Sequence, residues 1–392
     1  MSLFNRVFIL IAAFLSAGCL GEPDPETGLE IPVISFDSAE IDTMKHMGLS
    51  LTPVTEYHDS LYIESISAVD IDSNGQVYIA AERHQVRSVY LYSQQGELLD
   101  TLGSYGNSHD EFESIRNIQI ADNSLYVFDD HLRRVTQFSL PDYAVINTTQ
   151  FNEITVREQE NPVEFFPSPV ALWNDGNYLI EYRDNQNPAI YNSRVQFYRT
   201  GTVSGDVSGV DLFELPAESY LIGDHAGRPS AFLLPYPERS LMTRLKDDLL
   251  YTAWTEEFEI QQRTSSGEVI QKIAFPYRRA GLDAEKMVSE HYSHNRQLQL
   301  TRESAEYPSE WPAIFKMLLD DRGQIWLALI PEDESTFEWW IIDPGAERNH
   351  LKAIFNWPRE SLFTRISETD VYALESDEDG FKKIVRYKIQ SD

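Results

Sequence analysis

The chain has 392 residues and a formal net charge of −31, from 63 acidic against 32 basic side chains. Such a field repels nucleic acid and anionic headgroups, so phosphate reading on a polymer is excluded as a first expectation. Its 42% hydrophobic and 12% aromatic content suffices for a sizeable core, and its one cysteine excludes an internal disulfide.

In chain order, Met1 to Arg6 is short and weakly basic, Val7 to Leu15 is an unbroken apolar run, and Ser16-Ala17-Gly18 precedes Cys19. This is the pattern of a secretory signal, and the run is shorter than the roughly 20 residues a spanning helix needs. Leu15-Ser16-Ala17-Gly18-Cys19 resembles a bacterial lipobox. The resemblance implies that residues 1–18 are a signal peptide and that Cys19 is lipidated, becoming the new amino terminus and the membrane anchor. The sole cysteine falls at the one place where that chemistry needs it. The lack of Asp directly after Cys19 implies, by analogy with lipoprotein sorting, an outer-membrane address, facing periplasm or surface. Leu20 to Gly28 is dominated by Pro, Gly and acids, so residues 19–50 read as the lipidated cysteine and a flexible tether.

The rest repeats a strand–turn–strand unit. Its copies are Ile66–Ile79, Ile118–Val127, Ala171–Ile180, Met242–Tyr251, Met317–Leu327 and Phe363–Leu374. Each turn is built from Asp, Asn or Gly, as in Asn74-Gly75, Asp122-Asn123 and Asp247-Asp248. Third strands follow, such as Ser88–Tyr92 and Val135–Phe138, and a fourth at Glu97–Leu102. Four strands at a period of roughly 40 to 50 residues predict an all-β, six-bladed β-propeller of four-stranded antiparallel blades over residues 51–392. The third and fourth units are spaced more widely and carry insertions. The last unit holds only three strands, ending with Ile384–Ile389. Leu51–Glu56 is therefore expected to supply the missing outer strand and close the ring. Residues 283–304 contain neither Gly nor Pro and read as one helical insertion.

The stretch Leu102-Gly103 to Gly106, then Asp110-Glu111-Phe112, is similar to the inter-blade linker of NHL-like six-bladed propellers. Asp129, Arg134, Val135 and Phe138 match the Asp…Arg-Ile…Phe pattern of such a blade, although Leu132 stands where that pattern has Asn. The chain also resembles bacterial lipoproteins with six-bladed propellers, which implies a fold and a binding surface but no agreed reaction.

Candidate chemistry is sparse. Asp70-Ile-Asp72-Ser-Asn74-Gly75 matches the start of a calcium loop, but the closing carboxylate would fall at Ala81, so a turn is the better reading. His291 and His294 share a helix face without a third ligand, Asp129-Asp130-His131 sits in a hairpin turn, and Ser204-Gly205 is a plain loop. Trp311, Trp339, Trp340 and Trp357 are expected mainly in the core. The chain therefore reads as a non-catalytic, membrane-anchored binding module for a protein, peptide or glycan, with no cofactor. The alternative is a calcium-dependent hydrolase or lactonase, which needs three or four Glu, Asp or Asn side chains to converge in the channel; Glu113, Glu164, Arg228, Glu238 and Glu310 lie near the starts of inner strands.

Overall fold

A computed structural model of the protein describes residues 31–45, 49–57, 62–156, 163–184, 186–189, 194–225, 227–291 and 306–391. Cys19, the signal segment and His294 lie outside the described residues.

The repeats become sheets because their burial alternates or saturates as a layered sheet demands. Second strands, sandwiched by neighbours on both faces, carry long apolar runs: Val77–Ala81 and Ile325–Leu329 are wholly buried. The turns follow the sequence. Asp122-Asn123 and Asp247-Asp248 have φ of 47° and 57°, and 52° and 58°, the left-handed pair of a two-residue hairpin turn. Gly75 and Gly176 supply positive φ in the corresponding turns of other blades.

Blade 1 runs, inner to outer, Ser65–Ile71, Val77–Arg83, Val86–Tyr92 and Leu98–Leu102. Blade 2 is Ile115–Ala121, Ser124–Asp129, Arg134–Ser139 and Val145–Gln150. Blade 3 is Val163–Leu172, Tyr178–Asp184, Val195–Gly201 and Phe213–Pro216, with a short strand Ile154–Val156 added at its inner edge. Blade 4 is Ser240–Met242, Leu249–Trp254, Glu259–Thr264 and Val269–Ala274. Blade 5 is Ile314–Leu319, Ile325–Leu329, Thr336–Ile342 and Leu351–Pro358. Blade 6 is Leu362–Ile366, Asp370–Ser376 and Lys382–Ser391, and its outer strand is the amino-terminal Leu49–Tyr57. That strand pairs antiparallel, Leu51 with Ile389 and Tyr57 with Ile384. The ring is thus closed by the segment the sequence nominated, and Pro53 is tolerated there because the strand has a free edge.

Among the described residues, six hydrophobic clusters fill the six interfaces between blades. One joins blade 6 to blade 1 through Tyr372, Ile384, Tyr57 and Val77. The others join blades 1 and 2, 2 and 3, 3 and 4, 4 and 5, and 5 and 6.

One expectation is corrected, and two insertions are given their form. The tether does not reach residue 50. Val33–Ile34 adds a parallel fifth strand to blade 4, Val33 opposite Lys272, and helix Ser38–Lys45 packs on the outer strand of blade 5. Ile34, Phe36 and Ile41 are buried in the blade 4–5 core, with Phe36 edge-on to Trp340 at 6.0 Å; this apolar burial holds the segment down. The helical insertion is Ala284–His291, and the remainder of 283–304 beyond it lies outside the described residues. The wide spacing before blade 4 is an extra hairpin, Leu221–His225 with Arg228–Phe232, which belongs to no blade.

Candidate functional site

The inner strands line a central channel, and a recurring irregularity decides what they aim into it. In blades 1, 2, 3, 5 and 6 the pairing of inner and second strands slips by one residue, at Ser67, Arg116, Val170, Phe315 and Thr364. A bulge of this kind re-aims neighbouring side chains.

Where the inner strands end, the channel is closed by charge. Arg365 of blade 6 donates from Nε to Asp70 of blade 1 at 2.9 Å and from Nη2 to Asp321 of blade 5 at 2.8 Å. Arg244 of blade 4 also bonds Asp321, and its Nη1 lies 3.9 Å from Asp70, across the ring. The second oxygen of Asp70 accepts from the backbone N–H of Ile120 in blade 2 at 2.8 Å. Gln119 bonds both backbone groups of Leu172 in blade 3, at 3.0 and 3.2 Å, and the N–H of Asn174 donates to Asp248 of blade 4 at 3.0 Å. Every blade-to-blade junction is therefore bridged on this face. Burial opposes the charge of Arg365, but Asp70 and Asp321 outweigh it and raise its pKa. For Arg244, burial and the neighbouring Arg365 prevail and lower it.

The face where inner strands begin is different, because the inserted hairpin and helix enter there. Leu221 and Phe232 of the hairpin and Met287 and Val288 of the helix share one core with Trp311, Trp326, Trp339 and Phe363 of blades 5 and 6. Tyr236 meets Trp311 at 5.1 Å and Phe315 at 5.3 Å, Phe315 stacks on Phe337 at 4.4 Å, and the Arg359 guanidinium covers Phe337 at 5.0 Å.

On this side, blades 2 and 3 hold an ion cluster. Arg183 Nη2 lies 3.0 Å from both oxygens of Asp130, and Arg116 bonds Ser168. Arg116 also pairs with buried Glu181 Oε2, off the axis of a hydrogen bond, so that oxygen receives no donor. Tyr198 donates to the other Glu181 oxygen at 3.3 Å. Burial disfavours the charge on Asp130, yet Arg183 and Arg116 outweigh it and hold the carboxyl below its usual range. Burial, helped by Glu181, pushes Tyr198 well up.

Most of the residues singled out from sequence disperse. Asp72 accepts the N–H groups of Asn74 and Gln76 at 2.9 and 2.8 Å, a turn contact, while Asp70 faces the channel. Asp129 is buried and accepts the backbone N–H groups of Glu113 and Leu132 at 2.7 and 2.8 Å; His131 meets Glu113 at 3.1 Å instead. Glu164 is exposed beside the Ile154–Val156 strand, and Arg228 is exposed in the inserted hairpin. Arg279 links Glu256 at 3.1 Å and Glu310 at 2.8 Å. Glu238 is raised by burial and by Glu256. Of the five expected channel residues, Glu238 and Glu310 come together around Arg279 beside Glu256, while Glu113, Glu164 and Arg228 stand apart, and among the described residues no three His, Cys, Asp or Glu side chains are placed to hold a metal. Trp311, Trp339 and Trp340 are buried and Trp357 half-buried. Two clefts of about 440 and 230 Å³ lie on the flank of blade 4, bordered by Glu257 and Glu259, away from the channel.

Sequence reasoning missed two half-buried cations, Lys316 on the inner strand of blade 5 and Arg239 just before that of blade 4. A lysine inside the apolar run Ile314-Phe-Lys-Met-Leu-Leu319 was the available signal. Burial first, and then repulsion from Arg239, brings the Lys316 pKa down to about 8.

Residues 32–199 match the model of the DUF5128 family, described as a 6-bladed beta-propeller. The chain is a six-bladed β-propeller. Similar in fold is a putative exported protein from Bacteroides fragilis, at a TM-score of 0.50 and 11% identity, covering 92% of this chain and 100% of that one. A DUF4221 family member from Bacteroides vulgatus also has a TM-score of 0.50, at 9% identity, covering 89% and 100%. Virginiamycin B lyase from Staphylococcus aureus has a TM-score of 0.40 at 11% identity, covering 88% and 99%, a likeness too loose to bear on this propeller's activity. No curated protein matches the sequence. Among the described residues, no helix of the propeller is long and apolar enough to cross a membrane.

Proposed function

We propose that this propeller is a non-catalytic binding module of the bacterial cell envelope, held at the outer membrane by a lipid on Cys19. Its ligand, a protein, peptide or glycan, docks on the face where the inner strands begin. One observation carries this reading: the two ends of the channel are built differently. One end is stitched shut by Asp70, Arg365, Asp321 and Arg244. The other carries both insertions, fixed in place by a common core. A preformed surface of loops on a rigid scaffold is how binding proteins limit the entropy cost of docking. The hydrolase or lactonase alternative requires convergent oxygen ligands, and Glu113, Glu164, Glu238 and Glu310 are engaged or placed elsewhere.

The test is to screen the full-length protein against glycan and peptide arrays, with calcium titration and a panel of lactones and esters in parallel. Saturable array binding without turnover is expected. Calcium-dependent hydrolysis would reject the reading. The anchor is checked separately: palmitate should label the wild type and leave Cys19→Ser unlabelled.

A further inference from the structure

The two clefts of blade 4 open at the face where the inner strands begin. Ser240, the first residue of the inner strand, pairs with Trp254, and Glu259 pairs with Ala274. All four therefore stand at that edge of the blade, and each borders a cleft. The larger cleft, about 440 Å³, runs between blade 4 and Val33 and Ser35 of the amino-terminal strap, residues 31–45. The smaller, about 230 Å³, runs from blade 4 to Glu214 and Pro216 on the outer strand of blade 3. Glu257 and Glu259 border both, so the clefts adjoin across a shared acidic wall.

The larger cleft has an aromatic side. Phe258 meets Phe275 at 5.9 Å and Tyr277 at 6.4 Å, and Trp340 backs Phe258 and Phe275 at 5.4 Å each. Phe275 and Tyr277 are only half-buried where they border the cleft. The charges around these rings are out of balance. Each cleft is bordered by three glutamates and one arginine, against 63 acids to 32 bases in the whole chain. Both arginines are already engaged. Arg279 holds Glu256 at 3.1 Å and Glu310 at 2.8 Å. Arg263 donates to the Thr252 hydroxyl at 3.0 Å, the Gly267 carbonyl at 3.0 Å and the Gln261 amide at 2.5 Å, with its guanidinium over Phe213. Lys272 meets Glu259 at 3.4 Å. The carboxylates of Glu257 and Glu214 have neither a hydrogen-bond nor an ion-pair partner among the described residues.

Carboxylates at the rim of an aromatic wall suit a cation on an apolar stem, which can lay its methylenes on the rings and keep its charge at the edge. A bare metal ion needs converging oxygens, and no three acids are so placed among the described residues. Two clefts sharing one wall suit an extended chain that carries more than one such side chain. We propose that this rim of blade 4 takes the lysine or arginine side chains of a partner polypeptide, with Glu257 and Glu214 meeting their charge and Phe275 and Tyr277 packing their stems. The assignment rests on the binding reading above and names the partner as a basic polypeptide. The chain's net charge of −31 draws such a partner in. Val33 and Ser35 form the opposite wall, so an occupied cleft also ties the strap to blade 4.

The test is calorimetric titration of the full-length protein with a short peptide of alternating lysine and serine. Physiological ionic strength is used, so that distant charge is screened beyond about 8 Å. A glutamate–serine peptide of the same length and spermine serve as controls. The lysine peptide should bind saturably, the acidic peptide should not, and spermine should bind at least tenfold more weakly. Glu257→Gln and Glu214→Gln together should weaken the lysine peptide at least about fivefold, the scale of roughly 1 kcal/mol for partly exposed ion pairs. Glu368→Gln, an exposed acid on the opposite face of blade 6, should leave it unchanged. Amide hydrogen exchange in residues 31–45 should slow when the peptide is bound. Equal affinity in the double variant and in Glu368→Gln, or exchange in the strap that ignores the peptide, overturns the site. Spermine binding as tightly as the peptide overturns the polypeptide assignment. An array ligand whose affinity ignores the double substitution overturns the site but leaves the binding reading intact. Lactone or ester turnover by a protein that still holds the lysine peptide overturns the binding reading and leaves the site standing.

Discussion

Arg365 shows how much one residue contributes when its neighbours come from other blades. Its guanidinium holds Asp70 and Asp321 together and is buried. Replacing it with alanine leaves two carboxylates facing each other with Arg244 as their remaining cation. The expected loss is roughly 3 kcal/mol in urea unfolding, the scale for breaking one side of a buried pair. A loss under about 1 kcal/mol would mean that the bridge is ornamental. Lys316 makes the opposite prediction. Its folded pKa of about 8 lies below the ordinary 10.5. Between those values the unfolded chain binds a proton that the folded chain has released, so this residue's contribution rises with pH across the window and its full penalty applies below it. Lys316→Met should therefore stabilise the protein at pH 7 by roughly 1–2 kcal/mol, allowing for partial exposure, and the gain should fade toward pH 10.5. Unfolding both proteins at pH 7 and pH 10 checks the sign.

At the scale of elements, two segments ahead of blade 1 have unequal duties. Leu49–Tyr57 completes blade 6, and Tyr57 lies in the core that joins blade 6 to blade 1. Deleting residues 51–56 should abolish cooperative unfolding. Deleting residues 31–45 should lower the melting temperature but preserve a single transition, because blades 4 and 5 keep their own four strands. Two transitions after the second deletion would show that the ring depends on the strap. These segments also mark where the sequence was legible. The closing strand was readable because the last repeat lacked a partner. Five of the six turns were readable because Asp, Asn and Gly at fixed offsets serve left-handed φ. The strap was not: a two-residue strand and a helix with Ile41 as its buried residue carry too little periodicity. Nor was the channel. Asp70 reads locally as a turn residue, and its actual partner stands 295 positions away. The linker pattern was visible, and its basis is physical: Arg134 donates to the carbonyls of Asn107, Ser108 and Glu111, while Asp129 binds the N–H groups of Glu113 and Ser114.

For the whole molecule, net charge opposes compaction. With −31 spread over one ring, self-repulsion is long-ranged and screenable. The melting temperature should rise by several degrees between low salt and 0.5 M sodium chloride on the order of magnitude set by such screening; a flat response would mean that local ion pairs already balance the field.

The route of the amino-terminal strap has a mechanical side. The polypeptide ahead of Pro32 leaves from the rim of blade 4, then passes blade 5 before reaching the strand that locks blade 6. A tug on that end meets a two-residue clip first and a short docked helix second. Both can peel away and lengthen the leash before any load arrives at Leu49, so the ring has a shock absorber in series with its fastening.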